Sequence, residues 1–333
     1  MTICSYGDAI RKAFEYLLEN HPEVFVIGQG VWSPWYVGST MSNLEKKFGK
    51  DRVIDTPVSE LACTGLAIGA SLSGYRPIVI HPRMDFMLLA TDQIVNQAAK
   101  WAYMFSGKSR PAVTIRSIIN RGGEQGAQHS QALHSLYAHI PGLRVVMPAT
   151  VQDAYDLLIA SVLCDDPVLY IDDKWLYEQR DELRTDLNIK LSEQSGKVLV
   201  KGDDITIVSA SYSTHIARQV VNKLQTNGVR AELIDLRVVN PIDDKIIIES
   251  VRRTGALCVI DGGWSNCGLA GEIIARVSEK VEPSLLKHKP VRCALPDVPA
   301  PTSSSLEKEY YPTVDAIYDI IYGNIFKRVV EKI

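Results

Sequence analysis

The sequence predicts an α/β fold with two domains, each built around a mostly parallel β-sheet. The 333 residues are enough for two domains of ordinary size. Short apolar runs rich in branched side chains alternate with helix-length segments throughout. A polar, irregular stretch from Trp175 to about Lys201 interrupts the alternation. The expected division is therefore residues 1–188, a linker at residues 189–200, and residues 201–333.

The first domain is predicted to begin with an amphipathic helix that leads into a strand at residues 24–28. Further strands are predicted at residues 52–55, 77–80, 112–116, 143–148 and 167–172. Residues 91–105 and 150–165 carry helical patterns. Thr150 is the expected N-cap of the second of these helices, because its hydroxyl can accept a hydrogen bond from an unpaired backbone N–H.

The second domain continues the alternation of strand and helix. Strands are predicted in "DITIVSAS", "AELIDLR", "ALCVIDGG" and "VRCAL", and helices in "DDKIIIESVRR" and "GLAGEIIARVSEKV". A Pro/Ser-rich loop and an amphipathic helix follow near the end of the chain. This order again predicts a layered α/β domain.

The composition argues against nucleic-acid and membrane partners. Charged residues make up 23% of the chain and the formal net charge is -3, with no Lys/Arg run. No apolar run reaches the length of a membrane span, and the first residues do not read as a signal peptide. The six cysteines are scattered singly, so we expect neither disulfides nor a metal site on this chain. The predicted location is the cytoplasm.

The segment "DTPVSE" places Glu60 at the start of an apolar helical stretch, "LACTGLAIGASLSG". A glycine inside a helix costs about 1 kcal/mol relative to alanine, so Gly65 and Gly69 indicate close approach of another backbone. Either the helix is buried against its own sheet, or it meets another helix at a subunit interface. Two roles are open for Glu60 as well: stabilising the helix N-terminus, or sharing a proton with a ligand as a desolvated acid.

Several long sequence blocks resemble one known family. They are "DTPVSE", "GLAIGASLSGYRPIV", "DQIVNQAAKWAYM", "GAQHSQ", "IPGLRVVMPATVQDAYDLL" and "DGGW", in this order along essentially the whole chain. They are similar to the beta subunits of the thiamine-diphosphate-dependent decarboxylase component of 2-oxo-acid dehydrogenase complexes. This family includes the pyruvate, branched-chain and acetoin dehydrogenases and belongs to the transketolase superfamily.

The resemblance implies a transketolase-like pyrimidine-binding domain at residues 1–188 and a transketolase C-terminal domain at residues 201–333. It implies that thiamine diphosphate is bound between chains. The beta chain would hold the aminopyrimidine, and a separate alpha chain would hold the diphosphate through Mg²⁺. Here the segment "KGDD" lacks the second glycine of the diphosphate-binding G-D-G motif, and no asparagine-rich turn follows at the expected distance. We therefore expect an alpha partner and a second copy of this chain in a heterotetramer.

The resemblance also assigns site residues. Glu60 matches the glutamate that hydrogen-bonds the aminopyrimidine and favours its imino tautomer, and Phe86 matches the aromatic residue that stacks on that ring. His129 matches a histidine near the reacting end of the cofactor, where it can donate to an oxyanion or move a proton. Val58 and Gln29 complete the predicted cofactor-binding set.

Three further residues are candidates for substrate binding. His81 lies in the loop that leads to Phe86, where it either lines the substrate entrance or is a surface histidine. Arg83 and Arg121 would suit an anionic or hydroxylated substrate, and the alternative for both is a solvated loop arginine. The family also implies a potassium ion near residues 161–167, although Cys164 and Asp166 replace the acidic and amide residues expected there.

Three departures from the family fall where substrate and acceptor would bind. Gln29 and Gly30 replace an acidic pair, "HPRMDF" replaces a loop that is mostly apolar or hydroxylic, and "IINRGGEQGAQHSQ" is closer to transketolase-like enzymes. The leading hypothesis is a beta subunit that decarboxylates a 2-oxo acid and passes the acyl unit to a lipoyl acyltransferase core. The second is a transketolase-like ketol transferase or carboligase with an aldehyde or sugar acceptor. The third is a non-catalytic assembly subunit.

Overall fold

The computed structural model describes residues 2–185 and 189–326, and it divides into two compact units. The first unit comprises Met1–Arg121, Gln128–Gln194 and Val239–Pro241, and the second comprises Gly122–Ala127, Ser195–Val238 and Ile242–Ile333. The predicted end of the first domain at residue 188 and the last residues of the predicted C-terminal helix, 327–333, lie outside the described residues.

The described residues form strands and helices that alternate through much of the chain. The strands are β1 (Thr2–Ser5), β2 (Val24–Gln29), β3 (Val53–Thr56), β4 (Arg76–His81), β5 (Thr114–Ile119), β6 (Arg144–Val146), β7 (Val168–Asp173), β8 (Arg180–Leu183), β9 (Lys197–Val200), β10 (Ile205–Ser209), β11 (Ala231–Asp235), β12 (Val238–Asn240), β13 (Leu257–Trp264) and β14 (Val291–Leu295). The helices are α1 (Tyr6–Asn20), α2 (Leu44–Phe48), α3 (Glu60–Ser71), α4 (Met84–Met87), α5 (Ala99–Met104), α6 (His134–Ala138), α7 (Val151–Val162), α8 (Tyr212–Thr226), α9 (Lys245–Thr254), α10 (Leu269–Lys280), α11 (Ser304–Tyr310) and α12 (Val314–Ile321).

The sheet of the first unit has seven strands in the order β12-β6-β7-β5-β4-β2-β3. Strands β2, β3, β4, β5 and β7 pair in parallel, with Val24 opposite Arg76 and Thr114 opposite Val168. Their carboxyl ends therefore lie along one edge, which is where ligands bind in open α/β sheets. A separate antiparallel ribbon pairs β1 with β8.

The sheet of the second unit has five strands in the order β14-β13-β10-β11-β9. The pairs among β10, β11, β13 and β14 are parallel, and β9 is an antiparallel edge strand on β11. Apolar side chains from β10, β11, β13 and α8 form a buried core with Ile317 and Ile321 of α12. The predicted α/β class and the parallel character of both sheets are confirmed, with one antiparallel edge.

Local sequence signals explain the helix starts that flank the first sheet. Ser5 accepts a hydrogen bond from the backbone N–H of Asp8, whose carboxylate accepts one from the Ser5 N–H, which is a capping box. The Thr150 hydroxyl accepts from the backbone N–H of Asp153, so the predicted N-cap is confirmed. These caps fix where α1 and α7 begin, and the two helices pack together beside the sheet.

One sequence-based expectation about local structure was wrong, and one helix has a form that its pattern did not indicate. The polar stretch from residue 175 to residue 201 is not only a connection, because it contains β8 and β9. Three of the four β8 side chains are exposed, so this strand carries no alternating apolar pattern. The helix predicted at residues 91–105 is confirmed, but its first part is a π-helical turn (Gln93–Ala98) that leads into α5.

Three observations concern the cysteines, the helix lengths and possible metal ligands. All six cysteines are free thiols, and the closest recorded sulfur pair, Cys258 and Cys293, is separated by 3.9 Å. None of the helices in residues 2–185 and 189–326 combines the length and the apolar character needed to cross a membrane. The same residues contain no cluster of three or more histidine, cysteine or acidic side chains placed to hold a metal ion.

Candidate active site

A small cavity lies at the carboxyl ends of β2, β3 and β4, beside the start of α3. It has room for about one water molecule, with a volume of about 10 Å³. Gln29, Glu60 and His81 all line it, together with Thr56, Pro57, Ser59, Cys63 and Pro82 among others. Three residues that the sequence assigned to one site are thus brought together by the ends of neighbouring parallel strands.

Glu60 is the first residue of α3 and is half-buried. The side chain of Ser59, at the N-cap position, accepts no capping hydrogen bond, so the first turn of α3 is not closed by its neighbour. Within the described part of the chain, no group hydrogen-bonds to the Glu60 carboxylate. Val58 lies two residues before Glu60, and 67% of its surface is exposed. The carboxylate and the apolar side chain beside it are both available to a ligand.

The turn after β2 is fixed by residues that the sequence analysis did not select. The backbone N–H of Gly30 donates to Asp55 Oδ1 at 2.7 Å, and Gly30 has a φ of 70°. A Cβ at Gly30 would lie 2.1 Å from the Tyr36 ring. Gln29 Nε2 donates to the Tyr36 hydroxyl at 2.7 Å, which orients the amide at the cavity. Asp55 begins the quoted motif "DTPVSE", so its polar side chain at a strand end was the available signal.

His81 is 2% exposed, so the surface alternative for this residue is excluded. Its Nε2 lies 3.2 Å from Thr64 Oγ1 on α3. Burial lowers the pKa of His81 from 6.5 to about 4, because the low-dielectric surroundings disfavour the imidazolium. The imidazole is therefore neutral at physiological pH and can act only as a neutral hydrogen-bonding group at the cavity wall.

Phe86 and His129 are in contact. Their rings meet edge to face with centroids 5.2 Å apart, and Phe86 keeps 39% of its surface exposed. Next to them, Asp85 Oδ1 accepts from both the backbone N–H and the side-chain amide of Gln131, each at 3.0 Å. The segment after β4 therefore holds the histidine-bearing loop in place. Burial raises the pKa of the Asp85 carboxyl, while the two bonds from Gln131 lower it.

The two candidate arginines have different surroundings. Arg121 is 6% exposed, donates to Asp173 Oδ2 at 2.6 Å, and lies over the Trp175 ring at 5.0 Å. It is thus neither a solvated loop residue nor free to meet a substrate without leaving Asp173. Arg83 is half-buried, and its Nη1 is a buried atom with no hydrogen-bond partner among the described residues.

A buried ion pair lies beneath this edge of the sheet and was missed from sequence. Arg116 in β5 donates to both carboxylate oxygens of Asp172 in β7, at 3.0 and 2.7 Å, and both side chains are fully buried. The Thr40 and Tyr177 hydroxyls complete the network around the guanidinium. An arginine inside the predicted strand "AVTIR" was the available signal, because a buried arginine needs a paired acid.

Helix α3 presents an apolar face to solvent. Thr64, Ala67, Ile68 and Ser71 are buried against the sheet side, whereas Leu61 is 49% and Leu66 57% exposed. A Cβ at Gly69 would have no neighbour within 4 Å. The helix is thus not buried within its own unit, which was one of the two sequence-based alternatives.

The loop from Val162 to Asp166 is bound by arginines. Arg76 Nη1 donates to the carbonyl oxygens of Val162 and Cys164 at 3.1 and 2.9 Å, and its Nη2 donates to Asp165 at 2.6 Å. The two carboxylate oxygens of Asp166 accept from Arg110 at 2.8 Å and from Arg144 at 2.9 Å. Guanidinium groups therefore occupy the oxygens that a monovalent cation would need in this loop.

Comparison with known proteins places this chain among enzymes with the same two domains. Residues 4–179 match the transketolase pyrimidine-binding domain, and residues 194–317 match the transketolase C-terminal domain. The pyruvate dehydrogenase E1 component subunit beta of Rickettsia bellii is 36% identical over 97% of both chains. The acetoin:2,6-dichlorophenolindophenol oxidoreductase subunit beta of Bacillus subtilis is 34% identical over 96% of both chains.

A solved structure supports the same fold. A split gene transketolase, described as an inactive beta4 tetramer, superposes with a TM-score of 0.77 at 21% identity, covering 96% of this chain and 98% of that chain. Identity at this level shows the fold alone. The domain matches and the full-length relatives confirm the expected resemblance. The chain belongs to the family of beta subunits of thiamine-diphosphate-dependent 2-oxo-acid dehydrogenases, which are built from these two transketolase domains.

Proposed function

We propose that this chain forms the aminopyrimidine half of a thiamine-diphosphate site in an enzyme that decarboxylates a 2-oxo acid and passes the acyl or aldehyde unit to an acceptor. The observation that carries the proposal is Glu60. Its carboxylate lies at the cavity where three parallel strands end, and no described residue hydrogen-bonds to it. A carboxylate that lines a cavity and has no partner in the described protein can pair with a ligand.

The residues around Glu60 fit an aromatic, hydrogen-bonding ligand. In this proposal Glu60 shares a proton with a ring nitrogen, the exposed face of Phe86 stacks on the ring, and Val58 and Gln29 line the pocket. Bound thiamine diphosphate would supply the stabilised carbanion chemistry that side chains lack. His129, held against Phe86, would move a proton at the substrate oxygen. The neutral imidazole of His81 would help to keep the cavity wall uncharged.

A partner chain is part of the proposal. The missing G-D-G segment means that the diphosphate and Mg²⁺ would be held by an alpha subunit. The exposed leucines of α3, directly after Glu60, offer an apolar surface of the kind that subunit interfaces bury. We propose an assembly with an alpha subunit and a second copy of this chain. The domain limits remain those predicted from sequence: 1–188, a linker at 189–200, and 201–333.

Potassium does not fit the loop where the family resemblance places it. The carbonyl oxygens of Val162 and Cys164 already accept from Arg76, and Asp166 accepts from two other arginines. A hard cation at the same oxygens would face three guanidinium charges, which is unfavourable. We therefore propose that arginines replace a structural ion here.

The two enzymatic hypotheses differ in the molecule that accepts the acyl or aldehyde unit. The names of the curated relatives favour an oxidative system, for which the acceptor would be a lipoyl acyltransferase core. The transketolase-like alternative, with an aldehyde or sugar acceptor, depends on Arg83, because Arg121 is paired with Asp173. The cytoplasm remains the location predicted from the cysteine pattern. Activity on 2-oxo acids with a lipoyl acceptor, compared with aldehyde acceptors, decides between the two.

The experiment is calorimetric titration of thiamine diphosphate with Mg²⁺ into this chain alone and into its co-purified complex with an alpha subunit. We expect binding only in the complex and its loss in Glu60→Gln. Glu45→Gln is the matched control, because Glu45 is also half-buried in the first turn of a helix but does not line the cavity. Equal binding by wild type and Glu60→Gln would contradict the proposed role, and an inert scaffold would bind in neither preparation.

A further inference from the structure

Three cationic side chains follow the carboxyl ends of neighbouring strands in the first unit. Arg83 comes two residues after the end of β4, Arg121 two residues after the end of β5, and Lys174 one residue after the end of β7. In the sheet, β5 lies between β4 and β7. All three residues therefore lie at one edge of the sheet, the edge that also carries the Glu60 cavity.

The two carboxylates at the end of β7 are already paired with other cations. Asp172 accepts two hydrogen bonds from Arg116, and Asp173 accepts one from Arg121 at 2.6 Å. Asp85 accepts from Gln131 and makes no ion pair within the described residues. Among the described residues, no hydrogen-bond or ion-pair partner is found for the side chain of Arg83 or of Lys174. Arg83 and Lys174 are therefore cationic side chains at this edge that pair with neither of the β7 carboxylates.

The two unpaired cations are close enough to affect each other. Although the Lys174 side chain keeps an exposed surface, its pKa is lowered, first by partial desolvation and then by the charge of Arg83. No carboxylate contributes a compensating attraction to Lys174. Arg83 cannot relieve the repulsion by losing its proton, and its buried Nη1 has given up water without gaining an acceptor. An anion bound here would supply an acceptor to the buried Nη1 and would reduce the repulsion between the two cations.

We propose that Arg83 and Lys174 bind an anionic group, a phosphate monoester or a carboxylate, on the substrate or acceptor of this enzyme. The guanidinium offers a planar fork for two oxygens, and the ammonium adds a mobile point charge. Arg83 directly follows Pro82, which lines the Glu60 cavity, and Phe86 lies three residues further on. The anionic group would thus be bound next to the reacting end of the site. Its role in selecting a substrate rests on the proposed thiamine-diphosphate function.

The test is calorimetric titration of inorganic phosphate, and separately of acetate, into the full chain and its alpha complex at low ionic strength. We compare wild type with Arg83→Gln, Lys174→Gln and the control Lys108→Gln. Lys108 is an exposed lysine before β5, at the opposite edge of the same sheet. Each site substitution should weaken binding by about tenfold, the usual effect of losing a charged hydrogen bond, and the control should change it less than twofold. Tighter phosphate than acetate binding would identify a phosphate ester as the ligand class, and the reverse a carboxylate.

Two results would overturn the inference. One is that wild type binds neither phosphate nor acetate at tens of millimolar. The other is that Lys108→Gln weakens binding as much as the two site variants do. Because Lys174 is exposed, Lys174→Gln decides the question even if Arg83→Gln does not fold. Thiamine diphosphate binding is measured on the same samples. Phosphate binding that depends on Arg83 and Lys174, without cofactor binding in any preparation, would support the anion site and refute the proposed function.

Discussion

Replacing Asp172 with asparagine should destabilise the first unit severely. The substitution keeps the side-chain shape but removes the charge that pairs with Arg116. Both side chains have 0% exposure and share two hydrogen bonds, at 3.0 and 2.7 Å. Removing one member of a buried pair leaves an uncompensated buried charge and costs about 3–5 kcal/mol. That is a large share of the roughly 5–15 kcal/mol that stabilises a typical domain.

Urea unfolding monitored by tryptophan fluorescence measures this loss, since four of the five tryptophans belong to the first unit. The control is Asp165→Asn, which breaks the pair with Arg76 at a carboxylate whose side chain is 74% exposed. An exposed pair contributes about 0–1 kcal/mol, so this variant should unfold near the wild-type midpoint. Equal effects of the two substitutions would refute the argument. The double variant Arg116→Met with Asp172→Leu should be more stable than Asp172→Asn, because it leaves no buried charge.

Three further predictions concern the site and the arginine-bound loop. Asp85→Ala should speed hydrogen exchange at the Gln131 amide about tenfold, because it removes a charged acceptor; an unchanged rate would mean that Asp85 does not hold this loop. His81 has a folded pKa of about 4, below the 6.5 of the unfolded state, so the unfolded chain takes up the proton first as the pH falls. Stability should therefore drop by up to about 3 kcal/mol between roughly pH 6.5 and pH 4, and His81→Asn should flatten that part of the urea-midpoint profile. The Tm of wild type should be the same in potassium chloride and in N-methylglucamine chloride, and Arg76→Met should lower the Tm in both salts. A higher Tm of wild type in potassium chloride alone would show that the loop binds potassium.

The parts of the fold predicted correctly are those with strong local signals. Buried parallel strands such as β5 and β7 are continuous apolar runs, and the cap at Thr150 depends only on neighbouring residues. Strand β8 was missed because its side chains are mostly exposed and its only recorded pairing is with β1, at the other end of the first domain. Edge strands of this kind are defined by their partner and not by their own pattern.

The sequence by itself determined the fold class, the family and the candidate residues Glu60, Phe86 and His129, because these depend on local patterns and on long matching blocks. Only the tertiary structure decided which charges are satisfied. Arg121 and Asp173 are 52 residues apart in sequence but form a buried pair, whereas Arg83 remains without an acceptor. Pairing depends on which strands become neighbours and on where their ends meet. Strand order in a sheet is a property of the whole chain, so no local segment contains that information.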